Sequence, residues 1–86
     1  MNYLTAMEML GVTEADSYET IDLQHKLFVN NMQDLRAKEM HSSSSFNLKI
    51  KHNVNQLKEA LNIIEMHRLT QGTAEQIAEI SSYKLK

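Results

Sequence analysis

The stretch Ile50-Lys-His-Asn-Val-Asn-Gln-Leu-Lys-Glu-Ala-Leu-Asn-Ile-Ile64 decides the fold. Ile50, Val54, Leu57, Leu61 and Ile64 recur at alternating four- and three-residue steps. At roughly 100° per residue that spacing puts all five on one side of a helix. Ala60 leaves room there for another helix to approach, and Ile63 and Met66 widen the stripe towards its C-terminal end. Such a stripe has to be buried against another element, so the rest of the chain is read for what covers it.

Upstream, Ile21, His25, Phe28, Met32 and Leu35 form a second apolar stripe at helical spacing. Asp16 or Ser17 opens this helix, Asp16 with Glu19 resembles a capping box, and the pattern runs to about Glu39 or Met40. His25 on the inward stripe reads as a core histidine. Leu23 and Leu27 lie one turn apart on nearly the opposite side, so the helix is apolar on two sides. Either the tail helix folds over those leucines or they fill the far side of a small bundle, or they form a protein-binding or self-association face, or they are scattered exposed leucines that need no explanation. Tyr18 and Met40 are candidates to extend that face.

Two shorter helices flank the pair. The first spans Tyr3 to Leu10, with Asn2 as its cap, Leu4, Met7 and Leu10 as its stripe, and Ala6 beside them. Gly11 supplies the left-handed residue that often ends a helix, and Val12 is placed to pack back on the last turn. The last starts at Thr73 after Gly72, with Thr73 and Gln76 as a capping box, Ile77 and Ile80 inward, and an end at Ser82 or Tyr83. Ser42 to Ser45 interrupt the apolar pattern and read as a flexible connector. With 86 residues and no proline, the chain is expected to form a single all-α domain, 1–86.

The segment Leu10-Gly11-Val12 followed by Thr13-Glu-Ala-Asp-Ser-Tyr-Glu-Thr-Ile21 resembles the L-G-V-S-x-x-x-S-x-E-E-I of the J-domain, the helical module of heat-shock co-chaperones. Val54, Leu57, Ala60, Leu61 and Ile64 are similar to that family's F-x-x-I-x-x-A-Y-x-x-L, and the likeness covers Tyr3 to His67. It implies an antiparallel helical hairpin over 1–70 with a short first helix, followed by a short C-terminal helix in 71–86. The family's His-Pro-Asp tripeptide would fall at Gln33-Asp34-Leu35, so the resemblance carries a fold and not co-chaperone activity. Where the family's second helix has cations that dock its partner, this chain has Asp22, Leu23, Lys26, Leu27 and Asn31. Two leucines there offer apolar burial in place of electrostatic attraction.

Several chemistries find no support. The chain has no cysteine, hence no disulfide scaffold, thiolate zinc site or cysteine nucleophile. Its two glycines make no phosphate-cradling loop. His25, His41, His52 and His67 contain no pair at the four-residue spacing of a shared-face metal site. Serines, histidines and acids occur, none in a nucleophile-elbow context. The acids Glu8, Glu14, Asp16, Glu19 and Asp22 read as caps and solvated faces. No enzyme activity, cofactor or metal is expected. Met1 to Leu10 lacks the features of a secretory signal, and no apolar run reaches the length of a membrane helix, so a cytoplasmic location is expected.

The net charge of −2 is unevenly spread: residues 1–35 carry −5, residues 36–58 carry +4 and residues 59–86 carry −1. A basic end of this kind can steer an acidic partner. The expected function is therefore that of a small regulator, an adaptor or inhibitor acting by protein–protein binding. Leu23 and Leu27 would be its anchors, with Arg36, Lys38, Lys49 and Lys51 orienting the complex. Size and style suit a phage or bacterial protein, such as a host-factor inhibitor or a lysis-timing accessory. Two other readings stand beside it: nucleic-acid binding through the basic segment 36–58, and self-association into a homo-oligomer. Phe46 is the only aromatic in the basic segment, which sets nucleic acid behind protein as a partner.

Overall fold

A computed structural model describes residues 1–38 and 44–85; the side chains of Arg36, Lys38, Ser44, Ser45 and Phe46 lie outside that description. The described residues form four helices packed together and no strand: α1 (Tyr3–Leu10), α2 (Tyr18–Lys38), α3 (Ser44–Gln71) and α4 (Ala74–Lys84). The molecule is elongated, 49 × 27 × 18 Å.

Local chemistry sets the helix ends. Asn2 caps α1 by accepting from the Thr5 N–H at 2.8 Å. Gly11 then adopts φ 66°, its N–H donating to the Glu8 carbonyl and that of Val12 to the Met7 carbonyl. This paired closure satisfies the orphan carbonyls of the last turn and folds Val12 back into the core beside Met7. Of the two residues expected to open α2, one caps it and the expected capping box does not form. Ser17 is the cap, its Oγ accepting from the Thr20 N–H at 3.2 Å, whereas Asp16 turns back to accept from the Thr13 N–H at 2.7 Å. An acid three residues after a threonine closes its own tight loop here, so Asp16 and Glu19 form no capping box.

The connector expected over Ser42–Ser45 is also shorter at one end, because α3 starts at Ser44 and takes in two of the four serines. Serine is well suited to a first helical turn, where its hydroxyl can serve backbone groups that lack intrahelical partners. Ser42 and Ser43 lie outside the described residues, as do Glu39, Met40 and His41. The Thr73–Gln76 capping box is present in both directions, at 3.1 and 3.0 Å, and α4 runs on to Lys84.

The core is Ala6, Met7, Leu10, Val12, Ile21, Leu57, Ala60 and Ile64, with Tyr3, Phe28, Val29, Met32, Leu61 and Ile63 packed against it. It therefore sits where α1, the start of α2 and the later part of α3 meet. Four residues expected inward are exposed: Leu4, Leu35, Met66 and Ile77. On α1 the buried residues are Ala6, Met7 and Leu10, with Tyr3 partly buried on the same side, which turns Leu4 out to solvent. Leu35 lies beyond the reach of the α1-covered core. Met66 and Ile77 give way to polar neighbours, because Glu65 and Arg68 take the buried rows of α3 while Ile80 alone is buried on α4.

Candidate functional site

On α2 the buried Ile21 and the half-buried His25, Phe28 and Met32 face the core. Leu23 and Leu27, on the other side, are 57% and 50% exposed. Among the described residues no element folds over them, and the C-terminal helix does not cover them. By helical geometry Thr20, Asn30 and Asp34 share their row and form a polar rim. Tyr18, considered as an extension of this face, is 4% exposed and packs edge-on against Tyr83, with ring centroids 5.3 Å apart.

Of the basic residues expected to orient a complex, Lys49 and Lys51 belong to α3 and not to the helix that carries the leucines. Arg36 and Lys38 lie in the last turns of α2, about 13 Å or more along the axis from Leu27 at 1.5 Å per residue. Lys49 and Lys51 are exposed on the first turns of α3. Near the end of α3, Arg68 bonds to the Asp16 carbonyl just before α2, so the start of α2 lies beside the end of α3.

That junction holds the most developed polar arrangement, and sequence reading missed it. Arg68 is 1% exposed. Its guanidinium donates from Nε to the Tyr3 hydroxyl at 3.1 Å and from Nη1 to the Asp16 carbonyl at 2.9 Å. Longer contacts run from Nη2 to the carbonyls of Thr13 and Glu14. The Tyr3 hydroxyl in turn donates to the Glu14 carboxylate, which also accepts from Gln76 Nε2 at 2.9 Å. The Tyr3 ring stacks on His67, centroids 3.8 Å apart. One buried cation thus ties α1, the α1–α2 loop and α3 together, and Gln76 adds α4.

These contacts set the ionisation of the junction. Hydrogen bonds from Tyr3 and Gln76 hold the Glu14 carboxyl below its ordinary range. Burial, and then the bond to Glu14, pushes the Tyr3 phenol up. Burial also pushes Tyr18 up to about 12, with the carboxylates of Glu65 and Asp22 adding to it. At Asp22 burial opposes ionisation, but the donors from Tyr83 and Lys26 outweigh it and the carboxyl sits below its ordinary value. His25 is pushed down, chiefly by burial, and its Nε2 is enclosed without a hydrogen-bond partner.

A shallow cleft of about 260 Å³ opens beside Arg68, lined by Glu14, Asp16, Ser17, Glu75 and Glu79 among others. Three of its carboxylates are engaged in holding the fold: Glu79 accepts from the Tyr18 N–H, Glu14 from Tyr3 and Gln76, and Asp16 from the Thr13 N–H. Among the described residues no group of three His, Asp or Glu side chains could hold a metal, and no helix is long and apolar enough to cross a membrane. Compared with known proteins, the chain matches no family model, no curated protein and no solved structure.

A sequence signal for Arg68 does exist. It stands four residues after Ile64 on the row that carries Leu57 and Ile64, a position that spacing alone gives to an apolar residue.

Proposed function

We propose that this chain is a small non-enzymatic regulator, an adaptor or inhibitor that binds another protein through the outward face of α2. Leu23 and Leu27 are the anchors of that face, and the basic end with Arg36, Lys38, Lys49 and Lys51 orients the approach of the partner. The observation that carries this reading is the exposure of both leucines, 57% and 50%, on a helix whose opposite side is already committed to the core. A helix that needed only one apolar side to fold has no folding reason to keep a second. The absence of cysteine suits a reducing, cytoplasmic setting.

The same reading takes α2 and α3 as an antiparallel hairpin on the J-domain plan. The Leu10-Gly11-Val12 turn supports it, as does Arg68 near the end of α3 bonding to Asp16 just before α2. The tripeptide of that family is absent, so the plan serves as a scaffold for a different surface. The test is affinity capture with the tagged chain, comparing wild type with Leu23→Lys/Leu27→Lys. A defined partner retained by the wild type and lost by the folded variant supports the proposal. A partner retained equally by both places the binding surface elsewhere.

A further inference from the structure

Helix α4 lies along the groove between α2 and α3 but covers only part of it. Its Glu79 accepts from the Tyr18 N–H, and one turn later its Tyr83 hydroxyl donates to Asp22. Lys84 then pairs with Glu65 of α3. Each turn of α4 therefore advances one turn along α2, and the helix ends at Lys84. Beyond it, among the described residues, α4 no longer covers the two rows that continue along α2 and α3. On α2 the row after Asp22 is Lys26, Val29 and Gln33; on α3 the row before Glu65 is Leu61, Lys58, Val54 and Lys51. Val29, Val54 and Leu61 are half-buried, whereas Lys26, Lys58 and Lys51 are exposed. Tyr83 and Lys84, adjacent on α4, reach Asp22 and Glu65 respectively, so the two rows flank the same groove.

We propose that this uncovered stretch of the α2–α3 groove docks an acidic amphipathic helix of a partner protein, lying in line with α4. The floor offers Val29, Val54 and Leu61 to an apolar stripe, and cations stand on both rims, Lys58 with Lys51 on one and, on the other, Lys26, which pairs with Asp22 at 3.1 Å. An apolar floor between cationic rims selects a helix with acids on either side of its apolar row. The chain already contains an occupant of this type, since α4 inserts Ile80 into the neighbouring part of the groove with Glu79 beside it. The inference rests on rows other than that of Leu23 and Leu27 and stands independently of the function proposed for that face.

The test uses the full chain and a fluorescein-labelled synthetic helix of Glu, Ala and Leu, with leucines at three-four spacing, followed by anisotropy. A control peptide carries Lys in place of Glu. The acidic peptide binds saturably, the basic one does not, and affinity falls about tenfold between low and moderate salt as the rim charges are screened. Lys51→Glu/Lys58→Glu abolishes this binding, and Leu23→Lys/Leu27→Lys leaves it unchanged. In NMR spectra amide shifts map to Val29, Val54 and Leu61, and the His25 titration moves upward as bound carboxylates offset its cationic neighbours. Lys51→Gln/Lys58→Gln provides a milder pair that removes charge without reversing it. The proposal is overturned if the acidic peptide does not bind, if both folded lysine variants bind it like wild type, or if the basic peptide binds equally. It is overturned as well if single-stranded DNA displaces the peptide while the floor residues show no shift, because the groove would then be a general polyanion site.

Discussion

Replacing Arg68 by methionine keeps much of the apolar stem and removes every donor. Two of the guanidinium bonds are well formed, at 3.1 Å to Tyr3 and 2.9 Å to the Asp16 carbonyl. Hydrogen bonds from a charged donor contribute about 1.5–3 kcal/mol each. The contacts at 3.4 and 3.5 Å add little by comparison. Water entering from the adjoining cleft can re-satisfy part of what is left, so the expected loss is about 2–4 kcal/mol. A domain of this length has a total stability of about 4–13 kcal/mol, and the midpoint should fall by about 10–25 °C. Urea unfolding followed by circular dichroism at pH 7 measures the loss. Arg68→Lys, with one compact ammonium in place of a planar fork, should fall between the two. Combining Arg68→Met with Tyr3→Phe should reveal a coupling of about 1 kcal/mol. A methionine variant within about 0.5 kcal/mol of wild type, the range of an ordinary surface change, would refute the claim that this cation holds the junction.

Three further outcomes follow from the same structure. At Gly72 an added Cβ would lie 2.6 Å from Gln76 Oε1 and closer still to the Arg68 carbonyl oxygen, so Gly72→Ala should strain the α3–α4 turn and its capping box. At Gly11 an added Cβ would make only ordinary contacts, 3.7 Å from Gln24 Nε2 and 3.9 Å from Phe28, and the φ of 66° is what resists it, so Gly11→Ala should cost about 1–2 kcal/mol; comparison of their urea midpoints should rank Gly72→Ala as the worse. Acid should destabilise the fold in two stages. His25, Glu14 and Asp22 all have folded pKa values below their ordinary ones, so the unfolded chain takes up protons first as pH falls. Their contributions are complete above the ordinary values and drain towards the folded ones, beginning near 6.5 for His25 and near 4.5 for Glu14. In a thermal series His25→Gln should remove the first stage alone, and a wild-type midpoint flat from neutral to pH 5 would contradict it. Leu23→Lys/Leu27→Lys should unfold within about 0.5 kcal/mol of wild type, because both positions are already in water; a loss of several kcal/mol would place them in the core.

Periodicity read the helices well and the polar junction poorly. The three-four spacing of Ile50 to Ile64 and the Gly11 stop depend on neighbours in the chain, so they are visible without a fold. The Thr73–Gln76 box is local in the same way. Ser17 and Asp16 compete for one cap, and that contest is settled by the loop closing on Thr13, which spacing does not reveal. Arg68 failed as a reading for a deeper reason. Its partners are carbonyls of the backbone at Thr13, Glu14 and Asp16, more than fifty residues away, and backbone acceptors have no sequence signature. Met66 and Ile77 were misplaced by the same logic, since apolar residues were assumed to win positions that Glu65, Arg68 and the hydrogen-bonded acids of α4 occupy. At the candidate site, sequence separated Leu23 and Leu27 from the core stripe but left their cover open. Their exposure depends on where α4 docks, and α4 docks through Asp22 and Glu65 on another row.

The most direct test of the α2 face is photo-crosslinking from inside the native partner's cell extract. A benzophenone amino acid placed at position 27 is compared with one at the exposed Glu59 of α3. The account predicts a discrete higher-mass adduct with a single partner protein from position 27, lost on adding excess unlabelled wild-type chain, and no such adduct from position 59. Equal adducts from both positions, or an adduct only with a second copy of this chain, would contradict a dedicated partner-binding face at Leu23 and Leu27.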